Sequence, residues 1–316
     1  MSGNVELSVI VPVYNGAKTI ERVVDQVMAL QVKGGLELIL VNDGSTDDSA
    51  IVCDKLVKAS TKPIKFVDLA RNFGEHNAVM AGLGASVGRY VVTIDDDLQH
   101  DPADIIDLYS HCRDNEFDIS YTYWDEKKHG IIRNLGSYLT NKMASIIMGK
   151  PKDIYFSTFR CMSRFLVDNI LQYEGPYPYI DGLVLQITDK IGKLKIIHHQ
   201  REFGKSGYTT RKLIRLWLNI FVNYSVMPLR ISTFIGIVLS FLGLLYTIRV
   251  ITIHLTNGTP EGWASLMSIV LLFSGTQLIV LGVIGEYLGR IHLTNNRKPQ
   301  FVIRRTIVSN AIKGEN

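Results

Sequence analysis

The chain of 316 residues carries 34 Lys and Arg against 30 Asp and Glu, a formal net charge of +4, with 47% hydrophobic residues. So mild a basic excess leaves no electrostatic footprint for nucleic acid, and the length suits one sizeable domain with appendages or two domains. The apolar residues are unevenly spread: the first two hundred positions read as an ordinary soluble α/β protein, whereas 231–291 are almost uninterruptedly apolar, a membrane signature.

Met1-Ser2-Gly3-Asn4 leads directly toward a strand without a basic and then apolar leader, so no cleaved signal peptide is expected. Leu7 to Val13 is a β-branched apolar run closed by Asn15-Gly16, the pattern of a buried strand and a turn. A helix is expected from Ala17, and a second strand from Leu36 to Val41. That strand ends in Asn42-Asp43-Gly44-Ser45-Thr46-Asp47-Asp48, which supplies an N-cap for a helix through Val57. Ile64 to Leu69 gives a third strand, followed by Arg71-Asn72-Phe73-Gly74-Glu75-His76-Asn77 and a small-residue helix from Ala78 to Ala85. Strands alternating with helices imply a mainly parallel, doubly wound sheet. Ligands bind such sheets beyond the carboxyl ends of the strands, where Asn15, Asp43, Arg71 and Asp95 emerge. A glycine-rich dinucleotide or Walker loop is absent, which argues against hydride transfer and P-loop chemistry.

The fourth strand, from Tyr90, runs into Asp95-Asp96-Asp97-Leu98-Gln99. Three adjacent acids beside buried Val and Ile repel one another unless a cation or strong donors offset the charge. Strand alternation would put Asp95, Asp97 and Gln99 on one side and Asp96 on the other. Two carboxylates and an amide oxygen form a hard donor set, suited to Mg²⁺ or Mn²⁺ shared with substrate phosphates. A solvated acidic turn is the alternative reading of the triplet alone.

Cys53, Cys112 and Cys161 are far apart and lack metal-ligand spacing, so buried reduced thiols are expected. Residues 212–221 mix basic and apolar side chains at helical spacing, as in a helix lying among lipid headgroups or packed on the soluble domain. Two apolar spans follow, 231–255 and 263–291. Arg211, Lys212, Arg215 and Arg230 precede the first, and Arg290, Arg297, Lys298, Arg304 and Arg305 follow the second, while the connecting 256–262 has no basic residue. The positive-inside rule then places both termini in the cytosol. The expected organisation is a cytosolic catalytic domain over 1–209, an amphipathic juxtamembrane segment over 210–230, a two-helix transmembrane hairpin over 231–291 and a cytosolic tail over 292–316, in the cytoplasmic membrane.

Five segments in this order carry a resemblance: Val9-Ile10-Val11-Pro12-Val13-Tyr14-Asn15, Val41 to Asp47, Arg71-Asn72-Phe73-Gly74, Asp95 to Gln99, and Arg201-Glu202-Phe203-Gly204-Lys205-Ser206-Gly207-Tyr208. Together they resemble glycosyltransferase family 2, and within it the membrane-anchored polyprenyl-phosphate glycosyltransferases, such as dolichyl-phosphate mannose synthases and bacterial undecaprenyl-phosphate sugar transferases. The resemblance implies a GT-A nucleotide-sugar fold in which Pro12, Tyr14, Asn15 and Asp43 hold the nucleoside and Arg71 and Asp96 lie at the donor. It implies Asp95, Asp97 and Gln99 as ligands of Mg²⁺ or Mn²⁺, with Asp95, Asp97 and Asp153 serving catalysis. Asp96 replaces the small residue usual between the two ligand carboxylates.

The resemblance further gives Arg133, Arg201, Lys205, Ser206 and Tyr208 to the lipid phosphate and the donor diphosphate. Read as residues alone, Arg133 also fits a surface helix start, the 201–208 loop a solvated basic loop, and Asp153 and Asp181 turn or capping acids. The implied reaction is inverting transfer of a monosaccharide from a nucleotide sugar, by analogy a UDP-sugar, to undecaprenyl phosphate for envelope glycan or lipid modification. A transferase acting on a glycolipid hydroxyl and a non-catalytic membrane scaffold stay open. Implied partners are the donor, the polyprenyl phosphate, the bilayer, a second copy of the chain, a flippase and a downstream glycosyltransferase.

Overall fold

The computed structural model describes residues 5–124, 154–175, 178–196, 262–295 and 299–313, with scattered helical positions between 234 and 256. The chain divides into two units, residues 1–207 with 297–316, and residues 208–296.

In the first unit β1 (Leu7–Val13), β2 (Leu36–Asn42), β3 (Ile64–Leu69) and β4 (Tyr90–Thr93) lie parallel in the order β4-β1-β2-β3. Their Val, Ile and Leu runs are buried on both faces because helices cover both sides of a parallel sheet. Helix α1 (Ile20–Ala29) turns Ile20, Val23, Val24, Val27 and Met28 inward, one stripe at helical period. Helices α2 (Ser49–Ala59), α3 (Glu75–Ala85) and α4 (Asp104–Asp114) complete the crossovers. The expected early strands and helices are present, with α3 starting at Glu75, earlier than its small residues indicate. Cys53, Cys112 and Cys161 are buried and free.

Beyond β4 the sheet turns mixed. Strand β5 (Ile119–Tyr123) and β6 (Arg160–Ser163) pair antiparallel, β6 also runs antiparallel to β4, and β7 (Ile191–Lys195) closes that edge parallel to β5. Short helices α5 (Arg164–Ile170) and α6 (Ile180–Ile187) lie between β6 and β7. The segment read as a tail supplies β8 (Ile303–Val308), antiparallel to β3 at the opposite edge, and the short α8 (Asn310–Lys313).

One expectation is corrected at β4. The strand ends at Thr93, and the chain turns through Asp96 and Asp97 with Leu98 at φ 58°. Strand alternation therefore does not set the directions of Asp95, Asp97 and Gln99; a tight turn does.

The second unit contains α7 (Trp263–Asn295), 33 residues long, and helical positions within 234–256. Among the described residues no helix is long and apolar enough to cross a membrane, so the two expected membrane helices are not shown by the structure. The amphipathic segment over 210–230 lies outside the described residues.

Candidate active site

The loops after β1, β2, β3 and β4 meet at one end of the sheet, since these strands are neighbours and parallel. Hydrogen bonds stitch the first two together. Asn15 adopts φ 58°; its Oδ1 accepts from the Thr46 amide at 2.8 Å and hydroxyl at 3.2 Å, and its own N–H donates to Ser45 Oγ at 3.0 Å. The Ala17 amide donates to Asp47 Oδ2 at 3.2 Å. Tyr14 is left with about half its surface exposed, 51%, as a ring available to a planar ligand, and Pro12 precedes it at the end of β1.

Asp43 ties the second loop to the third. Its Oδ1 accepts from the Phe73 amide at 2.7 Å and its Oδ2 from the Gly74 amide at 2.9 Å. Burial pushes the Asp43 carboxyl above its ordinary value, against these two hydrogen bonds. Gly44, at φ +60°, makes the approach feasible: a Cβ there would lie 2.3 Å from the backbone of Arg71 and Asn72. Arg71 is exposed, its guanidinium 4.7 Å from the Phe73 ring centroid.

The acidic turn completes the arrangement. Thr158 Oγ1 donates to Asp95 Oδ2 at 2.7 Å, and Thr93 Oγ1 donates to the Thr158 carbonyl at 2.5 Å. The Gln99 amide donates to Asp97 Oδ1 at 3.1 Å, closing the turn. Asp96 points back at the β1 loop, where its carboxylate accepts from the Tyr14 amide. Its Oδ2 lies so close over Gly16 that a Cβ there would sit 2.0 Å away. That oxygen is buried without a hydrogen-bond partner. Burial, with Asp95 and Asp97 beside it, pushes the Asp96 carboxyl up to about 7. An orphaned buried oxygen is costly, and a donor or cation from outside the chain would relieve it.

Beside this turn lies a buried polar cluster that the sequence reading leaves unassigned. Arg160 on β6 forms an ion pair with Asp181 in the first turn of α6, and Tyr121 on β5 donates to Asp181 Oδ1 at 2.8 Å. Burial opposes the Arg160 charge and Asp181 more than restores it. His76, near the start of α3, packs edge-on against Tyr179 with ring centroids 5.3 Å apart. Burial lowers its pKa to about 4, with Asp181 opposing and Arg160 adding to the shift. Asp181 is thus committed to a cation and a phenol.

Pro12, Tyr14, Asn15, Asp43, Arg71, Asp95, Asp96, Asp97 and Gln99 are brought together by these four loops. Arg133, Asp153, Arg201, Lys205, Ser206 and Tyr208 lie outside the described residues. Thr158 is not singled out by the sequence: a hydroxyl's partner depends on β6 lying beside β4, which no local pattern announces. Among the described residues, no group of three or more His, Cys, Asp or Glu side chains could hold a metal ion.

The description Glycosyl transferase family 2 matches residues 8–171, and GtrB C-terminal hairpin matches 227–291. The chain is 30% identical over 315 residues to the undecaprenyl-phosphate 4-deoxy-4-formamido-L-arabinose transferase of Sodalis glossinidius, spanning 98% of this chain and 96% of that protein. It is 32% identical over 306 residues to the protein of the same name from Pectobacterium atrosepticum, spanning 95% and 93%. Among solved structures, the glucosyl-3-phosphoglycerate synthase of Mycobacterium tuberculosis in complex with Mn²⁺, UDP-glucose and phosphoglyceric acid shares the fold. Its TM-score is 0.52 at 20% identity, over 69% of this chain and 77% of that one. The mainly parallel sheet, the four converging loops and these matches lead to one conclusion: the chain is a glycosyltransferase of GT-A fold and belongs to glycosyl transferase family 2.

Proposed function

We propose that the chain transfers a monosaccharide from a nucleotide sugar, a UDP-sugar, to undecaprenyl phosphate with inversion, at the cytosolic face of the cytoplasmic membrane. The observation that carries the donor half is the orphaned Asp96 oxygen, folded over Gly16 of the loop after β1 in the same turn that holds Asp95 and Asp97. Relatives matched over nearly their whole length are named undecaprenyl-phosphate sugar transferases, which supports the acceptor half.

The donor set fits a hard divalent ion. Asp95, Asp97 and Gln99 offer oxygens only, as Mg²⁺ or Mn²⁺ prefers, and donor phosphates would complete the coordination. When bound, such an ion neutralises charge that develops on the departing diphosphate. Thr158 fixes the direction of Asp95, and the Gln99 amide fixes Asp97. The Tyr14 ring and the Asn15 and Asp43 loops would hold the nucleoside, and Arg71 would add positive charge near the diphosphate.

A lipid monophosphate, with a second pKa of about 6, is largely an anionic nucleophile at cytosolic pH and needs little help from a base. A glycolipid hydroxyl would need one. Among the described acids on the acceptor side, Asp181 is held by Arg160 and Tyr121 and is poorly placed to take a proton. Arg133, Asp153, Arg201, Lys205, Ser206 and Tyr208 remain the proposed acceptor and diphosphate ligands, with Asp153 orienting the acceptor.

Membrane attachment through 231–291 is part of the same proposal. In the second unit Phe234, Ile237, Phe241, Leu278, Ile279 and Leu288 are exposed, which in water would be unfavourable and in lipid is not. Thr252 and Thr256 spend their hydroxyls on carbonyls one helical turn back, at 2.9 Å each, as a lipid environment demands. The first unit contains residues on both sides of this segment, so a bilayer crossed in between must be crossed an even number of times. That agrees with both termini facing the cytosol.

The test incubates the full chain in detergent with undecaprenyl phosphate and a panel of nucleotide sugars, and weighs the lipid product by mass spectrometry. A lipid-phosphate-sugar formed from one donor supports the proposal. Equal transfer to undecaprenol, or transfer only to glycolipid hydroxyls, would overturn it.

A further inference from the structure

We propose that the C-terminal strand β8 positions the loops that grip the donor, with Arg305 as the positioning residue. The inference rests on the donor reading above for its function, but its geometry stands on two separate sets of contacts within the first unit.

The first set is a relay across three strands. Arg305 lies opposite Asp68 in the β3–β8 ladder, and its Nε donates to Asp68 Oδ2 at 3.1 Å. The other oxygen of Asp68 accepts from Asn42 Nδ2 at 2.8 Å. Asn42 Oδ1 in turn accepts from the Ser45 amide at 3.2 Å, and Ser45 Oγ accepts the Asn15 amide. Asp68 and Asn42 are buried, so each needs its partner. Removing the guanidinium would leave Asp68 as an uncompensated buried acid and loosen its hold on Asn42, the residue next to Asp43.

The second set acts on the β3 loop. The ladder shifts register between Asp68 and Leu69, which pair with Arg305 and Ile303, so Arg304 is an extra residue in a bulge. Bulges re-aim side chains, and a terminal nitrogen of Arg304 reaches the Ala70 carbonyl at 3.0 Å, while the Ala70 amide donates to the Val302 carbonyl at 2.8 Å. Both backbone groups of Ala70 are thus taken by the C-terminal segment. Arg71 to Gly74, which supply the amides for Asp43, follow immediately.

The experiment uses the full chain in detergent, with Arg305→Ala, Arg305→Lys, Asp68→Asn and the Arg305→Ala/Asp68→Asn double variant. Three readouts are taken: KM for the nucleotide sugar, KM for undecaprenyl phosphate, and amide hydrogen exchange at Ser45, Phe73 and Gly74. Arg305→Ala is expected to raise donor KM roughly five- to ten-fold, the usual size of such couplings, to leave lipid KM within about two-fold, and to speed exchange at Ser45. Arg305→Lys should recover part of the loss, and the double variant should be no worse than the worse single. Unchanged donor KM and exchange in Arg305→Ala would overturn the proposal, as would an equal rise in both KM values, which marks general loss of fold. Should the wild type turn over no nucleotide sugar, the donor reading fails, and Ser45 exchange alone then decides whether β8 orders these loops.

Discussion

Thr158 holds Asp95: its hydroxyl donates to the carboxylate at 2.7 Å while its carbonyl is pinned by Thr93. The acid just past β4 is thereby aimed from the segment that leads into β6, a strand that joins the sheet from the other direction. Thr158→Val keeps the shape and removes the donor. A hydrogen bond to a charged group contributes about 1.5–3 kcal/mol, so kcat should fall roughly ten- to a hundred-fold with the melting temperature little changed. Thr158→Ser should keep most of the activity. Steady-state kinetics on the two variants checks this.

Asp97→Asn should abolish transfer, by roughly a hundred-fold or more, while the protein remains folded. The turn survives because an amide oxygen can still accept from the Gln99 N–H. Near-normal turnover in this variant would remove Asp97 from the site.

His76 makes stability depend on pH. Its folded pKa, about 4, lies below its ordinary 6.5, with Asp181 and Arg160 as the charged groups facing it. Between these values the unfolded chain binds a proton that the folded chain refuses, so stability is full above about 6.5 and falls as pH drops toward 4. The loss is at most about 3 kcal/mol. Thermal melts of wild type and His76→Gln across this range should differ in slope, the variant being the flatter.

Breaking the Arg160–Asp181 pair should cost more than removing it. Asp181→Asn leaves a buried guanidinium without its counter-ion, at about 3–5 kcal/mol. The double variant Arg160→Met/Asp181→Leu should recover part of that loss. Denaturant melts of the single and double variants measure the difference.

The parallel half of the fold was legible because each strand from β1 to β3 is a continuous apolar run closed by turn residues, with a patterned helix between. The antiparallel half was not. Strand β6 is four residues long, and its place between β4 and β5 comes from long-range pairing with no local signature. Strand β8 reads as a basic tail because the partners of Arg304 and Arg305, the Ala70 carbonyl just past β3 and the carboxylates of Asp68 on β3 and Asp54 on α2, lie more than two hundred residues away. At the candidate site, Asn15, Asp43 and the acidic turn are legible because polar residues at strand ends stand out. Their partners were less evident: Asp43 spends both oxygens on backbone amides, and Asp96 folds over Gly16, where alternation would have sent it to the far side of the strand.

Sugar transfer should depend on a divalent ion held by oxygen donors of the acidic turn against the donor's diphosphate. Initial rates of sugar transfer by the wild-type chain in excess chelator, followed by return of Mn²⁺ or Mg²⁺, test that directly. Transfer should drop to background and recover on refilling; an undiminished rate in chelator would contradict the account.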